Sequence, residues 1–324
     1  MTVQKFTSHG QMIPFSPGFQ LEGYTVEARR QWMDSYWYLV NGPQGHALIH
    51  ESPAYFQAHW QKKIWHALTP IMAGQGLLIP EKPIEWFQKT WQEISLNYSV
   101  YPVSLWSALE HPLQDELWQS GVLDEESIRL IYEWMREQQQ QLAAIGWCNP
   151  SLALPNIVLD TDRSLQLVEW DYAVPITGEL DYPRFFQGYH NALSYLKQDS
   201  KQTFTPLEIA WSAAFSTMVA LIQGKSPRFW APQAINYQSI LPYLSSEMRL
   251  WLENWKQNVH PENWPDLPAH IYRKTEQLKS YQQACIAFNH AFEAYHKQDW
   301  QSAREWARES CEQHLNDPWP WFLL

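Results

Sequence analysis

From Phe19 to Glu51 apolar and polar residues alternate, most clearly in SYWYLVNGPQGHALIHE, where Asn41-Gly42-Pro43-Gln44-Gly45 separates two stretches rich in aromatic and branched side chains. A period of two broken by Gly and Pro predicts an antiparallel hairpin. The period changes in PAYFQAHWQKKIWHAL, where Phe56, Trp60, Ile64 and Leu68 recur at every fourth position and predict a helix over 53–68. LLIP and ISLNYSVYPV return to strand-like text as far as Val103, and helical spacing dominates most of the remaining chain.

The clearest helix lies in LDEESIRLIYEWMREQQQQLAAIG. Asp124 is placed to cap it, and Glu125 and Glu126 suit its positive end. Ile128, Ile131, Trp134, Met135, Leu142 and Ile145 form one apolar stripe, and Gly146 closes the helix. NIVLD and LQLVEW, joined by Thr161-Asp162-Arg163-Ser164, predict a second, short hairpin. TPLEIAWSAAFSTMVALIQG is apolar on nearly every side, which predicts a helix at the centre of the helical part, stopped by Gly224. The class expected is α+β, with a small β-rich lobe at 19–103 after an N-terminal segment at 1–18. A larger helical lobe at 104–279 and a helical extension at 280–324 complete it.

Composition narrows the function classes. With 20 Trp, 16 Tyr and 13 Phe in 324 residues the chain carries too much apolar surface to stay disordered. Its net charge of −11 supplies no basic field, so nucleic acid is not an expected partner. Cys148, Cys285 and Cys311 are isolated, which excludes a disulfide framework and points to a reducing compartment. No apolar run approaches the roughly 20 residues of a membrane span and no leader pattern is evident, so a cytoplasmic location is expected. The histidines, His59 and His66 included, show no metal-ligand spacing, and Asp160 and Asp162 read as turn formers. So many tryptophans also predict that some stand at the surface as anchors for another protein.

The stretch GWCNPSLALPNIVLDTDRSLQLVEWDYA resembles, without a gap, the catalytic loop, hairpin and metal loop of the protein kinase family, G-I-V-H-R-D-L-K-P-E-N-I-L-L-D followed by V-K-L-I-D-F-G-L-A. Gly146, Leu152, Asn156, Ile157, Leu159 and Asp160 match by identity, and Trp170 stands at the motif phenylalanine. QGKSPRF is similar to the ending of the family's central helix, and HPENWPDL to its D-P-x-x-R-P signature. The resemblance spans about residues 19–279 and implies a bilobal, Ser/Thr kinase-like fold.

The same alignment implies that the chemistry is missing. Ser151 stands at the catalytic aspartate, and a hydroxyl of high pKa cannot act as that base. Ala153 replaces the loop lysine, and Pro150 the neighbouring arginine. Glu169-Trp170-Asp171 replaces D-F-G, which leaves Glu169 and Asp171 with Asn156 as residual metal or nucleotide candidates. In ALIH, matched to V-A-I-K, His50 takes the lysine position and Gln61 that of its glutamate partner. The phosphate loop is reduced to Gly23, Ala210 falls at the central-helix aspartate, and Trp264 at the signature arginine.

The expectation is a bacterial-type pseudokinase with no cofactor and no resident metal, acting as a scaffold or allosteric partner for another protein, such as an active kinase or a complex subunit. The alternative is an atypical ATP-dependent phosphotransferase that holds Mg²⁺ through Glu169 and Asn156, in the manner of the small-molecule kinases that read D-W in the metal loop. Residues 281–324 resemble one tetratricopeptide-like helix pair, with Ala291, Ala294, Trp300 and Ala303 at its small and aromatic positions. Such a pair must dock on the helical lobe or accept a partner.

Overall fold

The computed structural model describes residues 4–7, 12–32, 35–53, 83–110, 112–149, 152, 154–159, 164–168, 173–177, 205–224, 238–257, 264–273, 277–313 and 320. The fold is α+β, and the chain divides into two compact units, Met1–His111 with Val158–Asp171, and Pro112–Ile157 with Tyr172–Leu324. Of the helix expected over 53–68 only Pro53 is described, and it ends a strand; the rest of that helix and the LLIP strand lie outside the described residues.

The first unit is built on a six-stranded antiparallel sheet of β1 (Gln20–Leu21), β2 (Tyr24–Trp32), β3 (Ser35–Gly42), β4 (Gly45–Pro53), β5 (Glu85–Trp91) and β6 (Ile94–Pro102), in the order β1-β2-β3-β4-β6-β5. The expected hairpin is β3–β4, with Gly42 opposite Gly45 across Pro43-Gln44. Gly42 cannot carry a side chain, because a Cβ there would sit 2.5 Å from the Tyr24 ring. β5 escaped the sequence reading because its turn lacks the usual residues. Gln92 and Glu93 make a two-residue loop at φ 47° and 69°, a conformation normally left to Asn or Gly. Gly23 pairs with Glu22 in a similar tight loop, with Leu21 opposite Tyr24. A short helix, α1 (Leu105–Leu109), follows β6, and β8 (Ile157–Leu159) pairs with β9 (Leu165–Leu167) as the expected second hairpin.

In the second unit α2 (Leu113–Ser120) and α3 (Glu125–Ala144) precede β7 (Trp147–Cys148), which pairs with β10 (Val174–Pro175). α4 (Pro206–Gln223), α5 (Ser246–Gln257), α6 (Gln277–His296) and α7 (Trp300–Gln313) follow. The Asp124 carboxylate accepts from the Ser127 N–H at 2.9 Å, capping α3 as expected. Ile128, Ile131, Met135 and Leu142 are buried, while Trp134 and Ile145 are only half-buried. The buried stripe is instead completed by Tyr132, Gln138 and Gln139.

α4 is the buried axis of this unit, with nearly every residue from Ile209 to Gln223 sealed. Its N-terminus closes on itself through a capping box, Glu208 N–H to Thr205 Oγ1 at 3.2 Å and Thr205 N–H to Glu208 Oε2 at 2.8 Å. Its C-terminus cannot rely on water, and the last carbonyls of a helix lack partners within it. Gly224 takes the left-handed cap at φ 71°, and side chains from later in the chain supply the donors. Tyr272 Oη reaches Ile222 O at 2.9 Å, and Tyr281 Oη and Cys285 Sγ reach Gln223 O at 2.9 and 3.3 Å. Asn289 Nδ2 donates to Gly224 O at 3.0 Å. α6 therefore docks on the end of α4, and α7 packs back on α6 through Ala303, Ala307 and a 2.7 Å bond from Ser310 Oγ to Ala284 O.

Two outcomes follow. Asn289→Ala should cost about 1–3 kcal/mol in urea unfolding, because it strands a buried carbonyl. Asp124→Ala should cost about 1 kcal/mol at neutral pH. The Ser127 backbone and side-chain donors hold the Asp124 carboxyl below its ordinary value. The capped state is thus favoured above the unfolded carboxyl pKa, and the gap between wild type and variant should shrink as pH falls below about 4.

Candidate functional site

Alternation along β4 sends neighbouring side chains to opposite faces of the sheet. Ala47, Ile49 and Glu51 face one way, with Tyr38, Val40, Tyr98 and Val100. Leu48 faces the other way, with Trp37 and Tyr101, in a cluster closed by Leu105, Leu109, Val158 and Val168 of the same unit. His50, matched in sequence to the nucleotide lysine, lies opposite Trp37 and Ser99 in register and stacks on the Trp37 indole at a centroid distance of 4.4 Å. It is 1% exposed, and Trp37 beside it is 0% exposed. A phosphate could reach His50 only by opening this packing.

Asn156 belongs to the second unit, where it ends the short 3₁₀ turn Leu154–Asn156 and is fully buried. The loop before it is held by neutral side chains. Leu154 N–H donates to Thr217 Oγ1 of α4 at 3.1 Å, Thr217 donates on to Leu152 O at 3.4 Å, and Gln139 Nε2 of α3 donates to Asn149 O at 2.9 Å. Ala210 is buried on α4, so the polar tether from this helix comes from Thr217, two turns further along. Burial pushes the Cys148 thiol up to about 12, which removes it as a thiolate nucleophile near neutral pH. Trp264 packs into an aromatic cluster, 5.6 Å from both Tyr132 and Trp255.

His50 and Asn156 thus lie in different units. Ser151, Ala153, Glu169 and Asp171 fall outside the described residues, as do Pro150, Trp170, Gln61, His59, His66, Asp160 and Asp162. Among the described residues no group of three or more His, Cys, Asp or Glu could hold a metal ion, and no helix is long and apolar enough to cross a membrane.

The most concentrated electrostatics sit on the opposite face of β4, where the sequence offered no motif. Glu51 is 0% exposed and accepts from Lys5 Nζ at 2.7 Å and Tyr38 Oη at 2.7 Å through Oε2, and from Tyr98 Oη at 2.8 Å through Oε1. Lys5, also 0% exposed, donates to Ile13 O at 2.7 Å and lies 3.7 Å from the centroid of the Phe15 ring. Trp91 Nε1 extends the network to Tyr98 Oη at 2.8 Å. Burial raises the Glu51 carboxyl and lowers the Lys5 ammonium, each toward its neutral form, while the ion pair and the tyrosine donors oppose this. The segment around Lys5 is pinned further by Gln92 Oε1, which accepts from the N–H groups of Lys5 and Phe6 at 2.9 and 2.8 Å. With all its polar groups engaged inside an aromatic core, this network fastens the N-terminal segment to the sheet.

No family model matches the chain, and no curated protein matches it.

Removing one partner of a buried pair strands the other, so Lys5→Met and Glu51→Gln should each lose about 3–5 kcal/mol of stability. Lys5→Met with Glu51→Leu should cost clearly less than the sum of the two. A double-mutant cycle by urea denaturation measures the coupling.

Proposed function

We propose that the chain is a kinase-like protein that has lost its phosphate-handling groups and acts by binding another protein, as a scaffold or allosteric regulator in the cytoplasm. The observation that carries this reading is the filled sheet face of the first unit. In the alignment above, Leu48 takes the alanine of V-A-I-K, Val158 follows the N-I pair, and Val168 precedes the metal-loop carboxylate. In the resembled fold such positions border a nucleotide base. Here they pack in one cluster with Trp37 and Tyr101, and His50, aligned with the family's lysine, stacks on the Trp37 indole. The order along the chain of the short hairpin β8–β9 and the later buried helix α4 is compatible with the resemblance and supports this reading.

Binding through a partner is supported by the outer side of the C-terminal helices. Tyr295, Trp300 and Trp306 are exposed there, with Trp300 56% exposed and edge-on to Tyr295 at 5.2 Å. Exposed aromatics of this kind are favoured anchors at protein interfaces. The donors that α6 gives to the end of α4 make whole-extension deletions uninformative, because they would also unfold the unit.

The test has two parts. Calorimetric titration and thermal shift with ATP and Mg²⁺ or Mn²⁺ should show neither binding nor phosphate transfer, and turnover abolished by Glu169→Ala would establish the phosphotransferase alternative instead. Trp300→Ala with Trp306→Ala should leave the melting temperature within a few degrees of wild type and remove any protein that co-purifies with the native chain; retention of that protein would locate binding elsewhere.

A further inference from the structure

We propose that the first unit contains an ammonium site centred on Glu51, which the chain fills with its own Lys5 and which takes the charged end of a small unbranched primary amine when the N-terminal arm swings away. A lysine ammonium carries three N–H donors. Here they meet Glu51 Oε2 at 2.7 Å, Ile13 O at 2.7 Å and Tyr38 Oη at 3.4 Å. A fourth side is closed by the face of the Phe15 ring, whose centroid lies 3.7 Å from Nζ. Acceptors for all three donors and one aromatic face suit a primary ammonium. A quaternary one has no N–H to give and would leave the acceptors unmet.

The walls of this site are held in place without Lys5. Glu51 stands on β4 and Tyr38 on β3, and Tyr98 Oη of β6 donates to the second carboxylate oxygen at 2.8 Å. Phe15 stacks on Phe19 at 4.3 Å, and its N–H donates to Tyr38 Oη at 3.2 Å. With Lys5 withdrawn, a desolvated carboxylate would face an aromatic ring, an arrangement that calls for a cation.

The arm that brings Lys5 is fastened by side chains rather than by strand pairing. Among the described residues, positions 4–7 join none of the six strands of the sheet. The N–H groups of Lys5 and Phe6 both go to Gln92 Oε1, and Lys5 O accepts from Ile13 N–H at 2.7 Å. A segment outside the ladder opens at lower free energy than the sheet that carries it. Once it is open, the net charge of −11 favours the approach of a cation. The site uses the face of β4 opposite His50, so it stands whether or not the proposed nucleotide deficiency does.

Lys5→Ala in the full chain deletes the outer three carbons and the ammonium of the side chain, and n-propylammonium replaces what is lost. This amine should raise the melting temperature of the variant saturably, with a Kd on the order of 1–10 mM for so small a ligand. It should bind at least tenfold tighter than 1-propanol or tetramethylammonium, and adding Glu51→Gln should abolish the response. If Lys5→Ala alone fails to fold, hydrogen exchange on the unmodified chain decides. The Lys5 and Phe6 amides should exchange at least tenfold faster than those of β3 and β6, and n-propylammonium, against equal tetramethylammonium, should speed the arm amides several-fold and leave the sheet amides unchanged. Equal stabilisation by 1-propanol, a response that survives Glu51→Gln, or arm amides that exchange only together with the sheet would overturn the proposal and leave an ion pair that serves the fold alone.

Discussion

A polar group sealed away from water must find a partner inside the protein, and that requirement organises both units. In the second unit it acts on the carboxyl end of α4, a helix buried on all sides whose last carbonyls cannot be hydrated. The donors come from Tyr272, Tyr281, Cys285 and Asn289, between 50 and 65 residues further along the chain than the carbonyls they meet. Those bonds fix where α6 lies, and α6 in turn fixes α7. The close meeting of two helix ends reinforces the arrangement, since a Cβ on Gly224 would stand 2.8 Å from Val122 N.

The same requirement acts on one carboxylate in the first unit. Glu51 points from β4 into an aromatic core and is tolerable there because Lys5, Tyr38 and Tyr98 all donate to it. The resulting network holds the N-terminal segment across the sheet face that carries Tyr38 and Tyr98. Its neighbour His50 points the other way and stacks on Trp37. One step along a strand therefore separates a charged anchor from an aromatic seal, and the seal is what argues against nucleotide handling in the proposed reading.

Thr217 holds Leu152 and Leu154, and Gln139 holds Asn149, through hydrogen bonds between uncharged groups. Such tethers position backbone.

The sequence by itself determined the elements whose signals are local. The Asp124 cap, the α4 boundaries at Thr205 and Gly224, and the Gly42–Gly45 hairpin were legible because caps, left-handed glycines and a period of two act over a few residues. Of the candidate site, the sequence singled out His50 only through the ALIH resemblance, and its stacking on Trp37 was not legible there. β5 was hidden because Gln92-Glu93 adopts left-handed angles without the residues that announce them. Only the tertiary structure decided the Lys5–Glu51 pair and the donors at the end of α4. Each depends on which side chains meet across long chain separations in the absence of water, and no local pattern encodes that.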